Sequence, residues 1–409
     1  MSVPAPAGAM NWWTSLPLYL RIAGALVLGA LAGIALGPAA ASFATPAKLI
    51  LRLLSAIAPP LVFLAIVRAL MQAQLARGSG LRLLWLLALN TTVAIFIGLA
   101  VANLLQPGSH GSLAPHETAT GAKAALSPLE QFLDNIPRSL LGPFTDDGKV
   151  LSVILIALAV GVALRSSREH PVRTAGDLVE VGFQTVLRLL YWIIEIVPLG
   201  VFGIIASIVG TKGFSDFVAL GYFVLAVVIA LLLQAAWYLG RIRFKSWARP
   251  GHVIRGMRDA LVMAFSTASS TATMPVTYAC LKNKVGLREQ SASLGSLVGA
   301  NFNNDGTALY EAMAALFIAQ MLGMELTLTQ QVLVVLTSMA ASVGAAGIPE
   351  AGLVTMTLVF KAVGLPVEYI AILFTVDWFL DRCRTTINVM GDVNVSCILD
   401  GKTKPDHPP

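Results

Sequence analysis

Six long apolar runs fill the first 241 residues, at about 17–37, 45–73, 81–106, 147–165, 175–211 and 216–241. Each has roughly the length a helix needs to cross a hydrocarbon layer, about 20 apolar residues. Pro198 inside the fifth run predicts a kink or a tilt there. Beyond about residue 250 the pattern changes, and the apolar stretches become interrupted: "AFSTASSTATMPVTYA", "GANFNNDGTALYEAM" and "ASVGAAGIPEAGLVTM". Two of these regions, about 252–282 and 327–363, read as an apolar arm, a small polar tip and a second apolar arm. Neither arm is long enough to cross a bilayer, so each region predicts a helical hairpin entering from one side. Irregular backbone at membrane depth is tolerated only where protein or a water-filled cavity satisfies it. Paired interruptions of this kind point to a transporter site with half-helix ends aimed at substrate.

Composition agrees. Of 409 residues, 56% are hydrophobic and 12% charged, with a mean hydropathy of +0.76. A soluble domain carries about a quarter of its residues as charges, so the class is an all-α polytopic membrane protein. The net charge of +6 is then a topology signal rather than a nucleic-acid one. Arg68, Arg77 and Arg82 flank the second link, Arg165, Arg168 and Arg173 the fourth, and Arg241, Arg243, Lys245 and Arg249 follow the sixth run. The third link, "PGSHGSLAPHETATGAKAALSP", holds one Lys and no Arg. The positive-inside rule therefore puts the N-terminus in the cytoplasm and this link outside a cytoplasmic membrane. The N-terminal stretch runs into a spanning segment and does not read as a removable signal. Cys280, Cys383 and Cys397 show no paired spacing, and the five histidines lie in or beside loops. A membrane enzyme is disfavoured, because no Ser–His or Cys–His set and no zinc-ligand spacing can be assembled.

Near the end of the chain, "TVDWFLDRCRTTINVMGD" concentrates charge. On a 3.6-residue helix Asp377, Asp381, Arg384, Thr385, Asn388 and Asp392 share an arc of about 100°, while Arg382 points off it. Intramembrane charges face a bundle interior and mark a pathway; a self-neutralising Asp–Arg network that merely joins helices is the plainer alternative. A guanidinium grips a carboxylate bidentately, an aspartate holds an ammonium, and hydroxyls and helix N-termini take a second carboxylate. Asn and Asp oxygens suit Na+.

Four blocks resemble the dicarboxylate/amino acid:cation symporter family over about residues 18–400: "STASSTATMPVT", "NNDGTALYEA", "SVGAAGIPEAG" and "DRCRTTINVMGD". The resemblance implies the elevator-type glutamate transporter fold, with eight transmembrane helices plus two re-entrant hairpins, assembled as a homotrimer in the bilayer. It divides the chain into scaffold helices at 1–74, a transport-domain helix at 75–108, an outer loop and scaffold helices at 109–211, and the rest of the transport domain at 212–409. It also implies that Arg384 binds a side-chain carboxylate and Asp381 the amino group. Thr385, Asn388, Thr307, Ser269, Ser270 and Gly347 complete that pocket. Having both Arg384 and Asp381 indicates aspartate or glutamate as substrate; a neutral amino acid, a C4-dicarboxylate, or a ligand-gated anion channel on the same fold are the alternatives.

For Na+, the only cofactor-like species implied, Asp392, Asn303, Asn388 and the Gly299 carbonyl resemble one site. Asp305 and Asn303 with Asn90 and Thr91 resemble another, although an Asn–Thr pair is also ordinary interhelical glue. Against the family pattern, Asn304 replaces a Met and Ala345 a common Thr, which puts the sodium count in question. Glu311 occupies the position of a glutamate in the family's proton-coupled animal carriers. Desolvation disfavours its charged form and makes it a proton-coupling candidate, unless a neighbour such as Arg382 neutralises it. Arg382 with Ala268 follows the animal-like arrangement, and Glu350 has no assigned role.

Overall fold

The computed structural model describes residues 18–46, 49–50, 60, 63–64, 67, 80–113, 144, 153–154, 156–158, 173–212, 215–344 and 351–404. The predicted runs at 45–73 and 147–165 lie mostly outside them, and Ala345, Gly347 and Glu350 entirely so. Among the described residues the chain is helical, with no strand. The principal helices are α1 (Leu18–Leu36), α2 (Gly80–Leu105), α3 (Arg173–Lys212) and α4 (Ser215–Lys245). They are followed by α5 (Arg258–Thr267), α6 (Ser270–Cys280), α7 (Asp305–Met321), α8 (Leu328–Gly344), α9 (Ala351–Val363) and α10 (Ile370–Asp400).

Among the described residues, three stretches are long and apolar enough to cross a membrane, Leu20–Phe43, Arg82–His110 and Phe217–Lys245. They turn large apolar side chains outward, among them Leu31, Trp85, Phe96 and Leu232, as lipid contact allows. α1 ends where Gly37 takes a positive φ of 53° and Pro38 follows, two features that stop a helix. Its Gly29 and Gly33 let it lie directly on α3: a Cβ there would stand 2.6 Å from the Phe202 carbonyl oxygen and 2.7 Å from that of Ala206. Close backbone approach through small residues four apart is the usual packing device of helices in lipid.

A second group of helices surrounds α7. Residues 305–319 of α7 are buried on every face, as a helix at the centre of a bundle must be. α2, α4, α8, α9 and α10 all pack against it. The short helices α5 and α6 meet at Ala268, which holds the left-handed conformation (φ 51°) without being glycine, a costly geometry that tertiary contacts must sustain. Ser269 then caps α6, its side chain accepting from the Ala272 N–H at 3.1 Å. α8 and α9 likewise pack on each other and on α7.

The far ends of the α5–α6 segment are tied to the end of α10. Asp400 accepts from Trp247 Nε1 (2.6 Å) and from the Arg288 backbone N–H (3.0 Å), and the Arg288 guanidinium donates to the Asp400 carbonyl (2.7 Å). One sequence expectation is corrected here: Arg241, Arg243 and Lys245 do not follow the sixth span but lie in the last turns of α4, which continues to Lys245.

Candidate functional site

α10 delivers the polar stripe to the interior. Asp377, Asp381, Arg384, Thr385, Asn388 and Asp392 are all buried, whereas Arg382 leaves the stripe and donates to the Phe265 and Ser266 carbonyls at the end of α5. The Arg384 Nη2 bonds Asp381 Oδ1 at 2.7 Å and lies 3.1 Å from Asp377 Oδ1. Its guanidinium carbon stands 4.1 Å from the centre of the Tyr310 ring, a cation–π contact that fixes the plane. The Nε and Nη1 donors have no partner among the described residues. Gly352, near the start of α9, covers this guanidinium so closely that a Cβ would stand 2.8 Å from Nη1. Two unpaired donors on a wholly buried cation are costly unless something else meets them, and a planar carboxylate is the natural complement.

One and two turns further along, Asn388 and Asp392 face the start of α7. Asn388 Oδ1 accepts from the Gly306 N–H (2.8 Å), and its Nδ2 donates to Thr307 Oγ1 (3.3 Å) and Asn304 Oδ1 (3.2 Å). Asn304 Nδ2 in turn donates to the Ser342 carbonyl (2.9 Å), joining α8 to the cluster. The amide of Asn303 donates to the Asn388 carbonyl (3.0 Å) and to Asp392 Oδ1 (3.1 Å). Gly299 lies beside them, where a Cβ would be 2.5 Å from Asp392 Oδ1. A carboxylate, a backbone carbonyl and an amide whose own oxygen has no partner among the described residues make a hard oxygen set suited to Na+.

The second carboxylate, Asp305, opens α7. Its Oδ1 accepts from Thr91 Oγ1 (2.7 Å) and its Oδ2 from the Tyr238 hydroxyl. Gly391 lets this pocket adjoin the first, since a Cβ there would meet both Asn303 Nδ2 (2.1 Å) and the Tyr238 oxygen (2.9 Å). Asn90 turns elsewhere: its Oδ1 accepts from Arg241 and its carbonyl from Gln234 Nε2 (3.3 Å). Glu311 is buried one helical face away and accepts from Thr355 Oγ1 of α9. At the α5–α6 tip, Ser269 is engaged as the cap described above, and Ser270 Oγ donates to the Ala300 carbonyl at 3.5 Å.

The match to known proteins is extensive. Residues 18–402 fit the model of the sodium:dicarboxylate symporter family. The chain belongs to that family. It is 38% identical over 290 residues to excitatory amino acid transporter 4 of Mus musculus, a match covering 69% of this chain and 50% of that protein. With excitatory amino acid transporter 2 of Homo sapiens it shares 38% over 288 residues, 68% of this chain and 50% of that protein. Excitatory amino acid transporter 1 of Ambystoma tigrinum is 31% identical over 411 residues, 86% of this chain and 75% of that protein. The chain thus spans about half the length of the mammalian relatives it matches. Membership of this symporter family and the long apolar helices identify a membrane protein.

Within this member of the family, most expected site residues converge. Asp381 and Arg384 touch; Thr307, Asn388 and Asn303 form one hydrogen-bonded set with Asp392; Thr91 reaches Asp305. Asn90 joins Arg241 instead, and Gly347 lies outside the described residues. Thr385 is buried on the same stripe. Sequence reasoning missed Tyr238, Arg241, Tyr310 and Thr355. A signal existed for two of them: Gln234, Tyr238 and Arg241 recur at helical spacing near the end of an otherwise apolar run.

Proposed function

We propose that this chain is a secondary active transporter that carries an acidic amino acid, aspartate or glutamate, across the cytoplasmic membrane together with Na+, with H+ as a further coupling ion held on Glu311. One observation carries the reading: a buried arginine, flanked by Asp377 and Asp381, that keeps two donors without partners among the described residues. The relatives' names, excitatory amino acid transporters, support an amino-acid substrate. In this reading Arg384 takes the side-chain carboxylate and Asp381, released in part from Arg384, takes the ammonium. Thr385, Asn388, Thr307, Ser269, Ser270 and Gly347 line the rest. Asp392, Asn303, Asn388 and Gly299 hold Na+, and Asp305 with Thr91 belongs to a second cation pocket.

The remaining elements of the proposal are eight spans, two re-entrant hairpins (α5–α6 and α8–α9), a mobile transport domain built from 75–108 and 212–409, a scaffold from the rest, a cytoplasmic N-terminus and a homotrimer. The packing of α1 chiefly on α3, and of α2, α4 and α10 around α7, supports the division. A C4-dicarboxylate is the second reading, favoured because Asp381 is already paired with Arg384. The test is uptake of radiolabelled L-aspartate into liposomes under a Na+ gradient, a pH gradient or both. Uptake that requires Na+ and collapses in Arg384→Met supports the proposal. Succinate or serine uptake without aspartate uptake refutes the substrate assignment.

A further inference from the structure

We propose that Arg241 is a built-in cation of the Asp305 pocket, standing in for the charge of one sodium ion and so lowering by one the number of Na+ bound per protomer. The inference rests on the sodium-symport reading above and concerns how many ions accompany the substrate. Four observations on α2, α4 and α7 carry it. Asn90, a sodium ligand by sequence expectation, gives its side-chain oxygen to the Arg241 guanidinium. Its carbonyl oxygen accepts from Gln234. Both oxygens of Asp305 accept hydroxyl hydrogens, from Thr91 and from Tyr238, and Tyr238 lies three residues before Arg241 on the same helix. Arg241 is held in place, half-buried, with its Cζ 4.6 Å from the Trp237 ring centre.

Electrostatics makes the substitution reasonable. Asp305 and Asp392 act on each other as like charges across the shared pocket, and Arg241 acts on Asp305 as the opposing one. Arg384 is committed to Asp377 and Asp381. A sodium ion placed at Asp305 would meet a fixed positive charge and a ligand shell already spent on N–H and O–H donors. The like charge of the guanidinium opposes that second cation in a low-dielectric interior. An always-charged guanidinium, unlike an ion, cannot leave with the cargo.

The experiment counts bound sodium directly, without requiring substrate. Purified full-length wild type, Arg241→Met and Arg241→Lys are titrated with radiolabelled Na+, and the saturating number per protomer is read. Arg241→Met is expected to bind one more Na+ than wild type, and Arg241→Lys the wild-type number. An Arg241→Met protein that is monodisperse and binds the wild-type number or fewer overturns the inference. Should that variant not fold, Arg241→Gln keeps a donor for Asn90 without the charge and carries the same expectation. A wild type that binds Na+ alongside an unchanged variant removes this inference alone; no binding in either removes the sodium-coupled function with it.

Discussion

Replacing Arg384 by Met keeps much of the side chain's length and removes its charge, and the structure sets two separable consequences. The first concerns ligand. Two guanidinium donors stand without partners among the described residues, and a hydrogen bond to a charged group contributes about 1.5–3 kcal/mol net. Two such bonds to a substrate carboxylate give about 3–6 kcal/mol, so affinity should fall by at least about a hundredfold. The second concerns the fold. Asp377 and Asp381 lose their shared counter-charge inside the bundle, and breaking a buried pair by removing one partner costs about 3–5 kcal/mol. Asp377→Asn added to Arg384→Met should recover part of the lost thermal stability but none of the affinity. Calorimetric titration of purified protein with L-aspartate in Na+ measures the first, and thermal unfolding in detergent the second. A folded Arg384→Met protein that binds aspartate within tenfold of wild type would refute the assignment of Arg384 to the carboxylate.

Three further perturbations test other parts of the site. Glu311→Gln, a permanent mimic of the protonated carboxyl, should abolish the decline of uptake as external pH rises while leaving Na+ dependence in place; a preserved pH profile in liposomes contradicts the proton assignment. Tyr238→Phe deprives Asp305 Oδ2 of its hydroxyl partner, and should lower stability by about 1.5–3 kcal/mol, read as a fall in unfolding temperature; no change would mean that the bond is of no consequence. Gly299→Ala brings a methyl within 2.5 Å of Asp392 Oδ1, so half-saturation by Na+ should rise several-fold with no change in aspartate affinity at saturating Na+. Unchanged Na+ dependence would remove Gly299 from the ion site.

Much of this arrangement was legible before any coordinates. The stripe on α10 was readable because charges inside an apolar run stand out and a single helical period decides which of them share a face. That argument placed Asp381 beside Arg384 and set Arg382 apart, as found. The break at Ala268–Ser269 was readable because small and polar residues interrupt a run that otherwise spans, whereas the second predicted tip lies outside the described residues. Arg241 was misread for a physical reason: a cation near the end of a span satisfies the positive-inside pattern whether it reaches water or turns inward, and only its partner decides. Asn90 and Thr91 show the same limit, since neighbouring residues point about 100° apart and a local pattern cannot say which one faces α7. Tyr310 and Thr355 gave no signal, because a tyrosine or threonine in an apolar helix is unremarkable until its neighbour is known.

The tie at Asp400 has a mechanical consequence. Trp247 before α5 and Arg288 after α6 are both fastened to the last residue of α10, while next to the tip Arg382 of α10 holds the Phe265 and Ser266 carbonyls, so α10 grips the segment at its root and close to its tip. Parting the tip from α10 requires breaking the Arg382 bonds, whereas the root moves with α10. A spectroscopic label at the root reports the orientation of α10, and a label at the tip reports opening. The difference between the two signals separates whole-body displacement from gating in a single preparation.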